Sequence, residues 1–206
     1  MRFIVNLLPL LENAAGLRRV VSVFAGGYEG PVVTTDWQGM RVGYLNARGH
    51  TSSIVTLGLE AVADKAPGVS FIHVHPGPVN TNMLHSMEGI IVVILTMIWK
   101  AIAKFIAITV DESGERQVFL ATSGRYPPKS SGGKPSGVAV GNAIPAVVKG
   151  TTGKVGSGVY SLGVDGEGPK PRAEKVLAGL RDQDMAKRVW EHTVEEWVRI
   201  TGRESI

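Results

Sequence analysis

A chain of 206 residues can bury one sizeable core, and 44% apolar against 19% charged residues is the balance of a folded protein and not of a disordered one. With no cysteine, disulfides, thiolate catalysis and cysteine-based zinc sites are excluded, and a cytoplasmic setting is expected. The net charge of +4 is local. Residues 125–164 hold Arg125, Lys129, Lys134, Lys149 and Lys154 and no acid, in a Gly- and Ser-rich setting whose only aromatics are Tyr126 and Tyr160. That composition suits a solvated loop, so no nucleic-acid partner is expected.

Residues 2–14 place Phe3, Leu7, Leu10 and Leu11 on one helical stripe, with Pro9 as a kink and Gly16 as a stop. The opening resembles a signal peptide only superficially, since Pro9, Glu12 and Asn13 follow in place of a small-residue cleavage site. The run Val20-Val21-Ser22-Val23-Phe24-Ala25, closed by Gly26-Gly27, reads as a buried strand. Residues 28–50 read as loop, with a short extended piece at 32–35. Thr51, Ser52 or Ser53 then caps a helix carrying Val55, Leu59 and Val62, which Pro67-Gly68 ends. Residues 69–74 form a second buried-type strand. Strand, helix and strand with short connections make a βαβ unit of a parallel sheet.

Residues 84–109 predict a long helix that is apolar nearly all round and needs a cover. Its most apolar run, residues 89–99, is about half the ~20 residues of a membrane span, and Lys100 and Lys104 follow it, so no span is expected. Either a substrate lid or a homo-oligomer face would use such a helix. Another helix is expected over 111–121, interrupted or capped at Gly114. Residues 129–157 read as a Gly/Ser/Lys-rich insertion, part of which packs through its apolar interior. Val159-Tyr160-Ser161-Leu162 is the last expected strand. An amphipathic helix over 184–200 ends the pattern, with Ala186, Trp190, Val194 and Trp197 on one face.

The segment VSFIHVHPGPVNT at 69–81 resembles the sixth strand and following turn of short-chain dehydrogenases, whose motif is Pro-Gly-x-Val-x-Thr. RRVVSVFAGG resembles that family's fifth strand and the 51–67 helix its next long helix. ESGERQVFLATSGRYPP resembles a late helix of fungal members, GVYSL the last strand, and residues 190–200 the closing helix. The resemblance implies an α/β fold, a partial Rossmann-like parallel sheet flanked by helices, in one incomplete domain over 1–206. It also implies a fungal, secondary-metabolism-like oxidoreductase using NADP or NAD on a small apolar carbonyl or alcohol substrate. Pro76, Gly77, Val79 and Thr81 are the cofactor-binding residues that it assigns, at the nicotinamide carboxamide.

Two departures qualify that implication. The family reaction uses a Tyr as proton donor, a Lys four residues on and a positioning Ser. The usual spacing puts Ala47, Thr51 and Ala25 at these positions. A shift of three residues recovers Tyr44 and Arg48 as the catalytic pair, with Arg supplying charge but no transferable proton. His50 is an alternative acid/base. His73 and His75 share a strand face but have no third metal ligand nearby; one is expected in the core and the other at the site. The second departure is the Gly-rich phosphate-binding turn between a first strand and first helix, which has no counterpart, as though about a hundred N-terminal residues of the family were lacking. A non-catalytic or truncated family member acting as a binding or structural protein is therefore the alternative.

Overall fold

The computed structural model describes residues 1–79, 90–141 and 147–203. Three strands, β1 (Arg19–Val23), β2 (Ser70–Val74) and β3 (Val159–Leu162), form a parallel sheet in the order β1-β2-β3. Ser22 pairs with His73 and His73 with Ser161. Helices α1 (Arg2–Glu12), α2 (Tyr44–Lys65), α3 (Ile90–Ile106), α4 (Val110–Thr122), α5 (Pro171–Arg181) and α6 (Met185–Thr201) flank it. The fold is α/β with a partial Rossmann-like sheet.

The period of two in a strand sorts the core. On one face, Phe71 of β2 and Val159 of β3 pack with Leu59, Val62 and Ala63 of α2, and α1 and Trp190 close over them. On the other, Ile72, Val74, Tyr160 and Leu162 pack with Leu120, Tyr126 and Val148. A third cluster joins Leu57 to Leu177, Leu180, Met185 and Val189. The partly buried Arg19 fixes the second layer: its guanidinium donates to the carbonyls of Leu120 at 2.9 Å, Ser123 at 2.8 Å, Tyr126 at 2.8 Å and Ser136 at 3.2 Å.

Several helices differ from the sequence expectation. α1 runs through Pro9 as one helix, and the stripe that meets the core is Met1, Ile4, Val5, Leu8 and Leu11; Phe3, Leu7 and Leu10 face outward. The helix is apolar on two sides, so periodicity alone does not choose between them. α2 starts at Tyr44 and not at residues 51–53, because Ser52 and Ser53 are internal: their hydroxyls donate to the carbonyls of Ala25 and Gly30, each at 2.6 Å. α4 is continuous through Gly114 and is capped by Thr109, which accepts from the Glu112 N–H at 3.1 Å. α5 was not expected at all, although Pro171 starts it and Ala173, Leu177 and Leu180 bury its inner face.

The described side chains of α3 include exposed Val93, Met97, Ile98, Ile102 and Ile106 and a buried Ala103. No described helix is long and apolar enough to cross a membrane. Within 129–157, Lys129–Ser131 form a 3-10 turn, Lys149 and Val155 form a bridge, and Val148 enters the core. Residues 142–146 of that insertion lie outside the described part.

Candidate functional site

The chain leaves β1 through Ala25-Gly26-Gly27-Tyr28-Glu29-Gly30, across the carboxyl ends of β2 and β3. A Cβ on Gly26 would stand 2.2 Å from the His73 carbonyl oxygen and 2.7 Å from that of Leu162, so only glycine allows this crossing. Gly27 follows in the left-handed region at φ +79. The turn carries the Glu29 side chain inward, leaving the residue 3% exposed.

His73, Ser161 and α2 lie on the same side of the sheet, and a polar chain forms there. The Ala25 N–H donates to His73 Nε2 at 3.1 Å, which leaves the ring proton on Nδ1. That proton meets Thr56 Oγ1 at 2.8 Å, and the Thr56 hydroxyl donates to Glu29 Oε1 at 2.7 Å. Ser161 donates to the same oxygen while accepting from the Gly27 N–H at 2.7 Å. Glu29 Oε2 is buried and has no hydrogen-bond partner. Burial pushes the Glu29 carboxyl above its ordinary value, against the hydrogen bonds from Ser161 and Thr56. Burial, aided by nearby His75, pushes His73 down to about 4. The ring is therefore neutral at pH 7, and its 3.9 Å approach to Glu29 is dipolar in character, not an ion pair.

Above this layer opens the cleft. Arg48 Nη2 donates to the His75 ring, 3.1 Å from Nε2, and the guanidinium lies 3.7 Å from the centre of the Tyr28 ring. His75 Nδ1 donates in turn to the Phe24 carbonyl at 3.3 Å, and Tyr28 meets the His75 ring edge-on at 4.9 Å. Burial lowers the His75 pKa, the Phe24 contact raises it and the Arg48 charge lowers it further. His75 and Pro76 then line a cavity of about 300 Å³ with Arg116, Gly163 and Val164. Gly77, at φ +81, stands where a Cβ would press the Val164 methyls at 3.1 and 3.2 Å. Val79 bridges Ile108, whose N–H donates to Pro78 at 3.0 Å and so ties the turn to the end of α3.

The residues singled out in the sequence therefore sit differently from one another. Pro76 lines the cavity after β2, Gly77 and Val79 follow in the turn packed on Val164 and Ile108, and Arg48 is held against His75 and lines the neighbouring cavity. Tyr44, one helical turn earlier, is 94% exposed. Thr81 lies outside the described residues. His50 is a loop staple: Nδ1 accepts from the Val33 N–H and Nε2 donates to the Trp37 carbonyl, both at 3.1 Å. Of the two strand histidines, His73 is the core residue and His75 the cleft residue. Glu29, Thr56 and Ser161 escaped the sequence reading. An acid in a Gly-rich loop reads as solvated, and nothing local marks its hydroxyl partners. Among the described residues no group of three or more His, Cys, Asp or Glu is placed to hold a metal.

No protein-family model matches the chain. It is 40% identical over 196 residues to oxidoreductase AN1596 of Emericella nidulans, which takes in 94% of this chain and 57% of that protein. It is 35% identical over 207 residues to oxidoreductase andH of Emericella variicolor, covering 98% and 59%. It is 31% identical over 204 residues to the short-chain dehydrogenase/reductase SAT2 of Stachybotrys chartarum, covering 94% and 54%. The chain is thus a homologue of fungal oxidoreductases along almost all of its length, and spans a little over half the length of these curated relatives.

Proposed function

We propose that this chain carries the nicotinamide side of an NAD(P)-dependent oxidoreductase of the short-chain dehydrogenase/reductase kind, acting on a small apolar carbonyl or alcohol, in secondary metabolism. One observation carries the reading: the turn after β2 and the loop after β3 line a cleft at the carboxyl end of a parallel sheet, which adjoins a second one lined by the loop after β1, and this is the usual ligand position in open α/β folds. Relatives named as oxidoreductases support it.

The residues fit the cofactor in part. Pro76, Gly77 and Val79, with Thr81, would hold the carboxamide end. Among the described residues, the Gly26-Gly27 turn leads into a long loop and not into a helix N-terminus, so it does not make a pyrophosphate cradle. When bound, the nicotinamide would supply or accept a hydride at the substrate carbon.

The chain's own part is to place and stabilise oxygen. Arg48 is oriented by His75 and Tyr28, and its Nε and Nη1 donors have no acceptor among the described residues. In this reading they face the substrate oxygen and stabilise its developing charge, without giving up a proton. Tyr44, on the same helical face four residues earlier, is the proton donor, with substrate replacing the solvent that now covers its phenol. The second reading, a non-catalytic binding protein, is favoured by Ala25, Ala47 and Thr51 at positions where the family carries Ser, Tyr and Lys.

Titration of the chain with NADPH and with NADH, followed by thermal shift, separates the two. Saturable binding should stabilise the fold by about 2.7 kcal/mol at a hundredfold excess over Kd. With a bound cofactor, Tyr44→Phe and Arg48→Met should each slow reduction at least about a hundredfold. A folded chain that binds neither nucleotide sinks the redox reading and leaves the binding-protein one.

A further inference from the structure

The cleft continues, on its α5 side, into a cavity whose charge the redox chemistry does not use. About 330 Å³ in volume, it lies between the first turns of α2 and the start of α5, with Leu45 and Arg48 on one wall, Lys170 and Arg172 on the other, and Tyr28 and Pro31 between them. Among the described residues neither Lys170 nor Arg172 makes an ion pair or a side-chain hydrogen bond. The one acid in the lining is Glu29, turned into the polar layer beneath and 3% exposed.

Three cations around one concavity repel each other until an anion enters, and with Lys170 and Arg172 exposed that attraction falls with added salt. The adjoining cavity, which shares Gly27, Tyr28 and Lys170, is a poorer place for negative charge. Its Arg116 is already paired with Glu112 at 2.6 Å, and Asp165 stands in its wall. The body that accompanies the charge is also indicated: Tyr28 is 47% exposed and Leu45 92% exposed. Ring and aliphatic surface beside cations suits an aromatic acid better than a compact, strongly hydrated phosphate.

We propose that the substrate bears, besides its reacting carbonyl or alcohol, a carboxylate held by Lys170 and Arg172 on an aromatic or similarly apolar body that lies against Tyr28, Pro31 and Leu45. Arg48, between this subsite and the Pro76 turn, is left to the reacting oxygen. The word substrate rests on the redox reading; the acid site itself rests on the cavity and its charge.

The test uses the whole chain without nucleotide. Binding of 2-naphthoate and of the neutral isostere 2-naphthamide is measured by calorimetry, on the parent and on the doubly substituted K170A/R172A. The naphthoate should bind about tenfold tighter than the amide, and the double substitution should remove that advantage while leaving amide binding and the melting temperature unchanged. Equal affinity for acid and amide, or an unaltered K170A/R172A, overturns the proposal. Displacement of naphthoate by equimolar inorganic phosphate overturns the carboxylate assignment in favour of a phosphate site. Naphthoate binding without NADPH or NADH binding retains the acid site and removes the redox reading; nucleotide binding without naphthoate binding does the reverse.

Discussion

Acid should destabilise this protein chiefly through the buried imidazole of His73, with the partly buried His75, whose pKa burial also lowers, adding in the same sense. His73 is fully buried and its pKa falls from 6.5 to about 4 on folding. Between these values the unfolded chain binds a proton that the folded chain refuses, so stability is lost as pH falls. The lost free energy is the shift of about 2.5 units multiplied by 1.36 kcal/mol, or about 3 kcal/mol by pH 4. Glu29 acts in the opposite sense. Its folded pKa lies above the ordinary 4.5, so the folded state keeps the extra proton in the interval between, and that contribution grows as pH falls. Glu29 thus offsets part of the slope that His73 and His75 give together. Urea unfolding at several values between about pH 7 and pH 4 should show a falling midpoint at constant m-value. His73→Gln, which cannot titrate, should be less stable at neutral pH but should have a flatter profile. Equal pH slopes for the two proteins, or an imidazole that titrates near 6.5 by proton NMR, would refute the assignment of neutral, buried His73.

Two further substitutions probe the same turn. Gly26→Ala places a methyl within 2.2 Å of the His73 carbonyl oxygen, where no side-chain rotation can relieve it, and should cost at least about 3 kcal/mol in unfolding experiments; wild-type stability would mean that the crossing over β2 is misplaced. Glu29→Gln keeps an acceptor for Thr56 and Ser161 without the buried charge and should unfold within about 1 kcal/mol of the parent near pH 7. Glu29→Ala strands both hydroxyls and should lose about 2 kcal/mol; an alanine variant as stable as the glutamine one would show that the acceptor between Thr56 and Ser161 contributes nothing.

The three strands were legible as mostly apolar runs rich in β-branched residues at 20–23, 69–74 and 159–162, although β1, expected to be buried, is half-exposed, with Val23 51% exposed. The helices were legible only where one face is apolar and the other polar. α2 breaks that rule: Ser52, Ser53 and Thr56 face the loop after β1 and satisfy its carbonyls and its acid, so its most polar turn is among its most buried. Read as surface, those residues look like a cap, and the sequence puts the cap at 51–53 where the structure has it at Gly43. α1 errs in the other direction, with apolar residues on both sides and only one side in use.

The site shows the same division between local and distant information. The Pro76-Gly77 turn was readable because Pro and Gly break an apolar strand locally, while a role for it at the site comes only from the family resemblance; the structure puts the turn against Val164. The Glu29 layer joins residues as far apart as Gly27, Thr56, His73 and Ser161, each unremarkable in its own neighbourhood. What ties them is the sheet register that sets His73 opposite Ser161, together with a glycine that lets the chain cross above. A buried acid without a counter-ion is tolerated only if every nearby donor is aimed at it, and here the donors converge on Oε1 and leave Oε2 bare. The floor of the cleft is thus fixed by polar pairing while its walls, Arg48 on one side and Lys170 and Arg172 on the other, keep uncommitted donors for whatever enters. A rigid polar floor beneath walls with open donors is the arrangement that orients a ligand without reorganising to meet it.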